Sequence, residues 1–396
     1  MTSTKTMTHS KTAVPPHEER LAAALQECAR RKKPVFCVLG AGHGGLAMAG
    51  WLALRGARVR LYNRSDDKLH GIRWHGGVHL SGAVRGFGAI ELATSDIGEA
   101  MDGADVLMVV TPATAHRPLA AAMAPHLRDG QIILLNPGRT FGALEIRQVL
   151  TEKAVDAAVC IGETQTFVFA SRAISRHEAH IFRVKNKVPM ATLPAHWIPI
   201  VLEILRPYLP ILTAGNNVLC TSLENIGAVF HPALTLLNAG WIEATRGDFD
   251  YYLQGITPAT AAVLETLDRE RVALARALGV GTVTAREWLY LTYDSSGSNL
   301  YEAIQKTEAY RGIRAPPHIQ HRYVWEDVPM SLVPMASLAR QLSVPTPVIN
   351  MVIQMASLMH DTDYWTSGRT VERLGLAGKS VREIGLLAVG QSGENP

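Results

Sequence analysis

Pro34-Val-Phe-Cys-Val-Leu39-Gly40-Ala-Gly42-His43-Gly44-Gly45 is the stretch on which the reading of this chain turns. An apolar run rich in β-formers that ends on glycine suits a parallel strand buried on both faces. The glycines keep the G-x-G-x-x-G spacing and lead into Ala47–Leu54, a helical segment that Gly56 closes as a C-cap. Each glycine has its own physical reason. Gly40 permits a tight turn, Gly42 lets the backbone approach a pyrophosphate, and Gly45 allows close packing of helix on strand. The helix start then offers free N–H groups to phosphate oxygens. The hexapeptide alone is a weak signal. Between a strand and a helix it predicts a dinucleotide site at Gly40, Gly42, His43, Gly44 and Gly45.

Beyond the glycines, Ala57–Tyr62 is the next expected strand, and it runs into Asn63-Arg64-Ser65. An NAD site usually carries Asp or Glu at this point to hold the ribose 2′-OH. Here Asn63 stands at the key position. Arg64 can pair with a 2′-phosphate and Ser65 can donate a hydrogen bond to it, so NADP is favoured over NAD. Further strands are expected at Ala89–Leu92, Val106–Val110, Ile132–Asn136 and Ala158–Ile161, alternating with helices at His116–Leu127 and Ala143–Thr151. Thr111 and Pro112, and Asn136 one strand later, fall at carboxyl ends of strands, where ligands sit in such sheets. They are expected to wall the nicotinamide pocket.

Near residue 195 the pattern changes. His196–Tyr208 reads as a helix, and Ala259–Leu278, Leu332–Leu342 and Val348–Met359 carry a helical period. The expected fold is an α/β Rossmann domain with a doubly wound, mostly parallel sheet, followed by an all-helical C-terminal domain. The chain divides into a tail and short helix over 1–33, partly disordered, a dinucleotide-binding domain over 34–214, and a helical substrate and catalytic domain over 215–396.

The net charge of +4 arises wholly within Met1–Lys33, which holds seven basic and three acidic residues. It gives no reason to expect nucleic acid as a partner. Apolar runs are too short for a membrane span, and Met1–Pro16 lacks the apolar core of a secretory signal. A cytoplasmic protein is expected. Cys28, Cys37, Cys160 and Cys220 form no C-x-x-C pair and read as buried hydrophobes, with no metal site.

His231 stands out among the histidines because it sits in Asn225-Ile-Gly-Ala-Val-Phe230-His231-Pro232, an apolar stretch just past the domain joint. A dehydrogenase keeps its acid/base group in such an interdomain cleft, although a satisfied buried histidine fits the same pattern. His9, His17, His75 and His126 read as surface or tail residues. After Lys187 the chain contains only Lys306 and Lys379, which turns the search for the acid/base group toward histidine rather than lysine. Arg322 can clamp a substrate carboxylate, and Asp327 can accept a ring N–H and fix a histidine tautomer. A surface salt bridge is the alternative for both.

The chain resembles the opine dehydrogenases, the octopine/nopaline dehydrogenase family, and in particular their bacterial N-(1-carboxyethyl)-norvaline type. The likeness runs from about Val35 to Leu376. It is carried by Gly40–Gly45, Ile132–Gly138, Ile161-Gly-Glu-Thr164, His231-Pro232 with Thr235-Leu-Leu-Asn-Ala239, Tyr251–Pro258, Tyr310-Arg-Gly312, Arg322-Tyr323 with Glu326-Asp-Val328, and Gly368-Arg-Thr370. The departure is Asn63-Arg64-Ser65, where the norvaline type has an acid, and it again favours NADP. The resemblance implies reversible reductive condensation of a 2-oxo acid with an amino acid or amine. It also implies His231 and Asp327 as the catalytic pair and Arg322 as the holder of the oxo acid. Separately, a homodimer through the helical domain is expected. Two other readings stay open: an NADPH-dependent imine or 2-oxo acid reductase on the same fold, and a non-catalytic NADP-binding sensor.

Overall fold

The computed structural model describes residues 16–391. The tail expected over Met1–Pro16 lies outside the described residues except for Pro16, which opens helix α1 (Pro16–Arg31). This helix buries Leu21, Leu25 and Cys28. The strands are β1 (Val35–Leu39), β2 (Arg58–Tyr62), β3 (Gly77–Gly82), β4 (Gly86–Ala89), β5 (Leu92–Thr94) and β6 (Val106–Val109). They continue with β7 (Ile132–Leu135), β8 (Cys160–Thr164), β9 (Phe169–Ala173), β10 (Glu178–Val184), β11 (Val188–Leu193) and β12 (Leu212–Ala214).

The main sheet runs β12-β11-β8-β7-β6-β1-β2-β5. From β5 to β8 every pairing is parallel, while β11 joins β8 antiparallel. The order β5-β2-β1-β6-β7-β8 is that of a doubly wound sheet, whose strand order reverses between β1 and β6. Strands β1, β6, β7 and β8 are buried at every position. Each Val, Leu or Ile there contributes about 1.5–3 kcal/mol of burial. The expected Rossmann sheet is present.

A second sheet, β4-β3-β10-β9, was not expected. It packs on helix α2 (His43–Leu54), which is buried from Gly45 to Leu52 because it lies between the two sheets. The signal was in α2 itself: a helix apolar all round needs cover on both sides. The covering strands are half exposed, and β3 and β4 are glycine-rich, so their own pattern is faint. The strand expected at Ala89–Leu92 is a correction for the same reason. Its span falls across the gap between β4 and β5. The helix expected over His116–Leu127 is α-helical only to Met123, giving way to a 3₁₀ turn at Ala124–His126 that contains Pro125.

After Ala214 every named element is helical, including Ile226–Leu237, Pro258–Ala277, Val333–Gln341 and Pro347–His360. Among the described residues no helix is long and apolar enough to cross a membrane. All four cysteines are buried and free. Burial pushes the Cys28 thiol up to about 11 and Cys37 to about 12, so both remain protonated.

Candidate active site

The glycine turn lies at the reversal point of the main sheet. Gly40 adopts φ +116°, and a Cβ there would press on the Val110 carbonyl oxygen at 2.8 Å. A Cβ at Gly45 would collide with the Gly40 carbonyl oxygen, whereas one at Gly42 meets nothing within 4 Å. The turn is thus closed on the strand side and open on the other. No side chain caps the N-terminus of α2 at Gly42, so its first N–H groups stay available to an anion. His43 is placed differently from its neighbours. Its Nδ1 accepts from Ala173 N at 3.0 Å, which fastens the turn to the second sheet, and burial lowers its pKa.

Asn63 Oδ1 accepts from Ala41 N at 3.1 Å, and its Nδ2 donates to the Ser65 carbonyl at 2.8 Å. Asn63 therefore braces the glycine turn. Arg64 and Ser65 are exposed, and Arg64 makes no hydrogen bond or ion pair among the described residues. The next acid along the chain, Asp66, is bound by Arg73 at 2.7 Å and His70 at 2.9 Å. The Arg73 contact is the main reason its carboxyl falls to about 2.

Across the reversal point, the Thr111 hydroxyl is buried without a partner among the described residues, and Pro112 is exposed beside it. Asn136 is only 1% exposed. Its amide turns to Met108 Sδ at 3.8 Å and receives the Thr164 hydroxyl at 3.3 Å. The Asn136 side chain thus lies beneath the loop and supports it.

His231 lies in the Ile226–Leu237 helix. Its Nδ1 is 2.8 Å from an Asp327 carboxylate oxygen, its ring stacks on Tyr323 at 4.1 Å, and its Nε2 has no partner among the described residues. Asp327 is fully buried. Burial alone would raise its carboxyl, but Arg139 and His231 hold it below its ordinary value, so it stays ionised. The tautomer with the proton on Nδ1 then leaves Nε2 as the working nitrogen.

Arg139 was not anticipated. Its Nη1 is 3.1 Å from Asp327 Oδ1, and its Nε is 3.4 Å from Glu326 Oε1. Burial opposes its charge, yet the two carboxylates win and its pKa is raised. The available signal was an arginine in a glycine-rich loop directly after a buried strand. Arg322 is paired through Nε and Nη2 with Glu326, at 2.9 and 2.7 Å, and remains 46% exposed. Glu326 also accepts from Ala113 N at 3.1 Å. The structure therefore brings Arg322 to the cleft with one edge taken. A carboxylate clamp must use the remaining Nη edge.

Two buried groups hold these loops together. Arg369, fully buried, donates to Glu145 at 2.7 Å, to the Gly138 and Thr140 carbonyls at 3.1 and 3.0 Å, and to the Ala113 carbonyl at 3.3 Å. Arg139 and Phe141, in the loop so held, have φ of +57° and +61°. Such left-handed backbone costs about 1–3 kcal/mol per residue and persists only where surroundings fix it. Glu163 accepts from Ala143 N, Thr221 Oγ1 and Ser222 Oγ at 2.7–2.8 Å, joining β8 to the first helical segment. Burial raises its carboxyl even so.

Residues 35–138 match the family described as NAD-dependent glycerol-3-phosphate dehydrogenase N-terminus. Residues 214–360 match NAD/NADP octopine/nopaline dehydrogenase, alpha-helical domain. With the glycine turn at the reversal point, these define a pyridine-nucleotide-dependent dehydrogenase. An opine dehydrogenase from Arthrobacter sp. (strain 1C) is 41% identical over 350 residues, 88% of this chain and 97% of that protein. The chain belongs to the opine dehydrogenases, oxidoreductases acting on CH–NH donors. In fold it is similar to octopine dehydrogenase solved with NADH and agmatine, with a TM-score of 0.77 at 21% identity, covering 92% of this chain and 100% of that one. It is also similar to NADP+-bound yersinopine dehydrogenase, with a TM-score of 0.66 at 16% identity, covering 91% and 98%.

Proposed function

We propose that the protein is an NADP-dependent opine dehydrogenase that condenses a 2-oxo acid with an amino acid or amine and reduces the resulting imine. The observation that carries this reading is the His231–Asp327 pair with Nε2 free, its ring stacked on Tyr323 next to Arg322, whose partner Glu326 binds the loop after β6. The remaining Nη edge of Arg322 holds the carboxylate of the oxo acid. His231 Nε2 passes one proton from the attacking amine nitrogen to the former carbonyl oxygen, and a second proton, taken up from solvent, lets that oxygen leave as water from an iminium that keeps its remaining N–H. Asp327 orients the ring, and Arg139 keeps Asp327 ionised. When bound, the dihydronicotinamide supplies the hydride that reduces the imine carbon.

The residues present fit that cofactor. The open face at Gly42 and the uncapped start of α2 suit its pyrophosphate, and the unpaired Arg64 with Ser65 suits a 2′-phosphate. Asn63 serves as the brace, and the orphan Thr111 hydroxyl is a donor for the nicotinamide half. The division at 214/215 is supported by the end of the last strand at Ala214. A cytoplasmic homodimer through the helical half is part of the same proposal, supported by exposed Met351, Leu358 and Met359 on one helix. Light scattering tests the dimer.

The enzymatic test is NADPH oxidation with pyruvate, glyoxylate and 2-oxoglutarate against a panel of amino acids and amines, repeated with NADH. Consumption that requires both oxo acid and amine is expected. Consumption with the oxo acid alone marks an oxo acid reductase. The absence of turnover with every pair favours a sensor.

A further inference from the structure

Lys185 follows β10 and begins the turn into β11. Its Nζ donates to Thr166 Oγ1 at 2.7 Å, and among the described residues no carboxylate lies within ion-pair distance. The neighbours of Thr166 place this contact. Gln165 donates to Glu224 Oε2 at 3.1 Å, just before the helix that carries His231. Phe167 lies against Gly44 of the glycine turn, where a Cβ would meet its ring at 2.9 Å. The Thr164 hydroxyl donates to the Thr166 carbonyl at 3.0 Å and reaches Asn136 Oδ1 at 3.3 Å. Thr166 thus stands where the glycine turn, the loop after β7 and the start of the helical half converge. Lys185 also feels the charge of Arg139, which binds Asp327, the partner of His231.

The charges around this point are unequal. Arg139 is bound to Asp327 and Glu326, and Arg322 shares Glu326. Lys185 has only a hydroxyl. Burial, reinforced by the positive charge of Arg139, pulls its amine down to about 8. A partly buried ammonium that feels the charge of an arginine and has no acid of its own is a place that lacks its anion. Opine formation from an amino acid gives a secondary amine flanked by two carboxylates. Arg322 accounts for one of them, and the other needs a separate cation.

We propose that Lys185, seated on Thr166, holds the carboxylate of the amino donor and so selects α-amino acids over simple amines. This rests on the opine-forming reading given above. The experiment compares an amino acid that the wild type uses with the amine left by removing its carboxyl group. It uses the wild type, Lys185→Met and Lys185→Arg. Lys185→Met should raise KM for the amino acid roughly 10- to 100-fold, the size of a lost charge-assisted hydrogen bond. KM for the amine, the oxo acid and NADPH should stay unchanged, and Lys185→Arg should recover part of the loss. Equal wild-type use of acid and amine overturns the proposal. So does a change confined to the oxo acid or NADPH, or no change at all. Lys185→Gln replaces the Met variant if that one does not fold. If no oxo acid and amine pair is turned over, the opine reading falls by itself. Calorimetric titration of iminodiacetate then decides the anion site, since equal affinity for wild type and Lys185→Met overturns it.

Discussion

The glycine edge and the histidine cleft open at the same end of one sheet, yet they are built from different materials. The first consists of backbone: Gly40, Gly42 and Gly45, the bare start of α2, and Asn63 bracing Ala41 from 22 residues away. The second consists of side chains from distant segments. His231 and Asp327 are 96 residues apart, and Arg139 and Glu326 are 187 apart. A backbone site needs only a short run of the right residues. A side-chain site needs the whole core to set its distances.

The strongest test of this contrast is His231→Ala. It should lower kcat by roughly 10²- to 10⁴-fold, as loss of a general acid/base does, while NADPH affinity measured by fluorescence titration stays unchanged. A parallel loss of NADPH affinity would show that the two regions are one. Arg369→Met acts on what they share, because it strips the loops after β6 and β7 of a common donor. It leaves the buried Glu145 with only the more distant Arg373, at 3.7 Å, and should cost about 3–5 kcal/mol in denaturant unfolding. An unchanged midpoint would remove Arg369 as the joint. Arg64→Ala tests the backbone edge alone: KM for NADPH should rise roughly tenfold, the size of one charge-assisted contact, with kcat and the NADH reaction little altered.

The smallest effect concerns pH. Burial pulls His321 down to about 4 in the folded chain, against about 6.5 in the unfolded one. Between those values the unfolded state binds more protons, so stability is full above about 6.5 and declines as pH falls toward 4. His43, His116 and His360 are lowered too, and they act with the same sign. His321→Asn should therefore flatten, without abolishing, the fall of the thermal midpoint over that window.

The same contrast explains what could be read from the sequence. The strand–glycine–helix unit and the parallel order were legible because buried parallel strands are continuous apolar runs and the turn residues are local. The second sheet was not, since its strands face solvent on one side and Gly86-Phe-Gly-Ala89 has little β character. His231, Asp327 and Arg322 stood out from their own surroundings as candidates, a family resemblance carried by short segments gave them their roles, and the structure pairs His231 with Asp327 and Arg322 with the adjacent Glu326. Arg139 and Arg369 escaped, although the latter stands in one of the matched segments. Nothing local distinguishes a buried arginine that bonds carbonyls in the other half of the chain from one on a solvated loop. Asn136 was placed by its position at a strand end, but the inward turn of its amide is set by Met108 and Thr164, which lie far along the chain.

The bonds of Arg369 also impose a timetable. The loops it ties, at Ala113 and at Gly138–Thr140, belong to the first half of the chain, up to 256 residues earlier. During synthesis the nucleotide-binding half can therefore emerge and pair its strands, yet the loops flanking its reversal point lack their tie until residue 369 has left the ribosome. A nascent chain halted between the end of the helix at His360 and Arg369 would carry every strand, His231 and Asp327, and still lack the tie that sets these loops. Completion of the enzyme is in this sense a late event in translation, governed by a residue that belongs to neither of the two regions it joins.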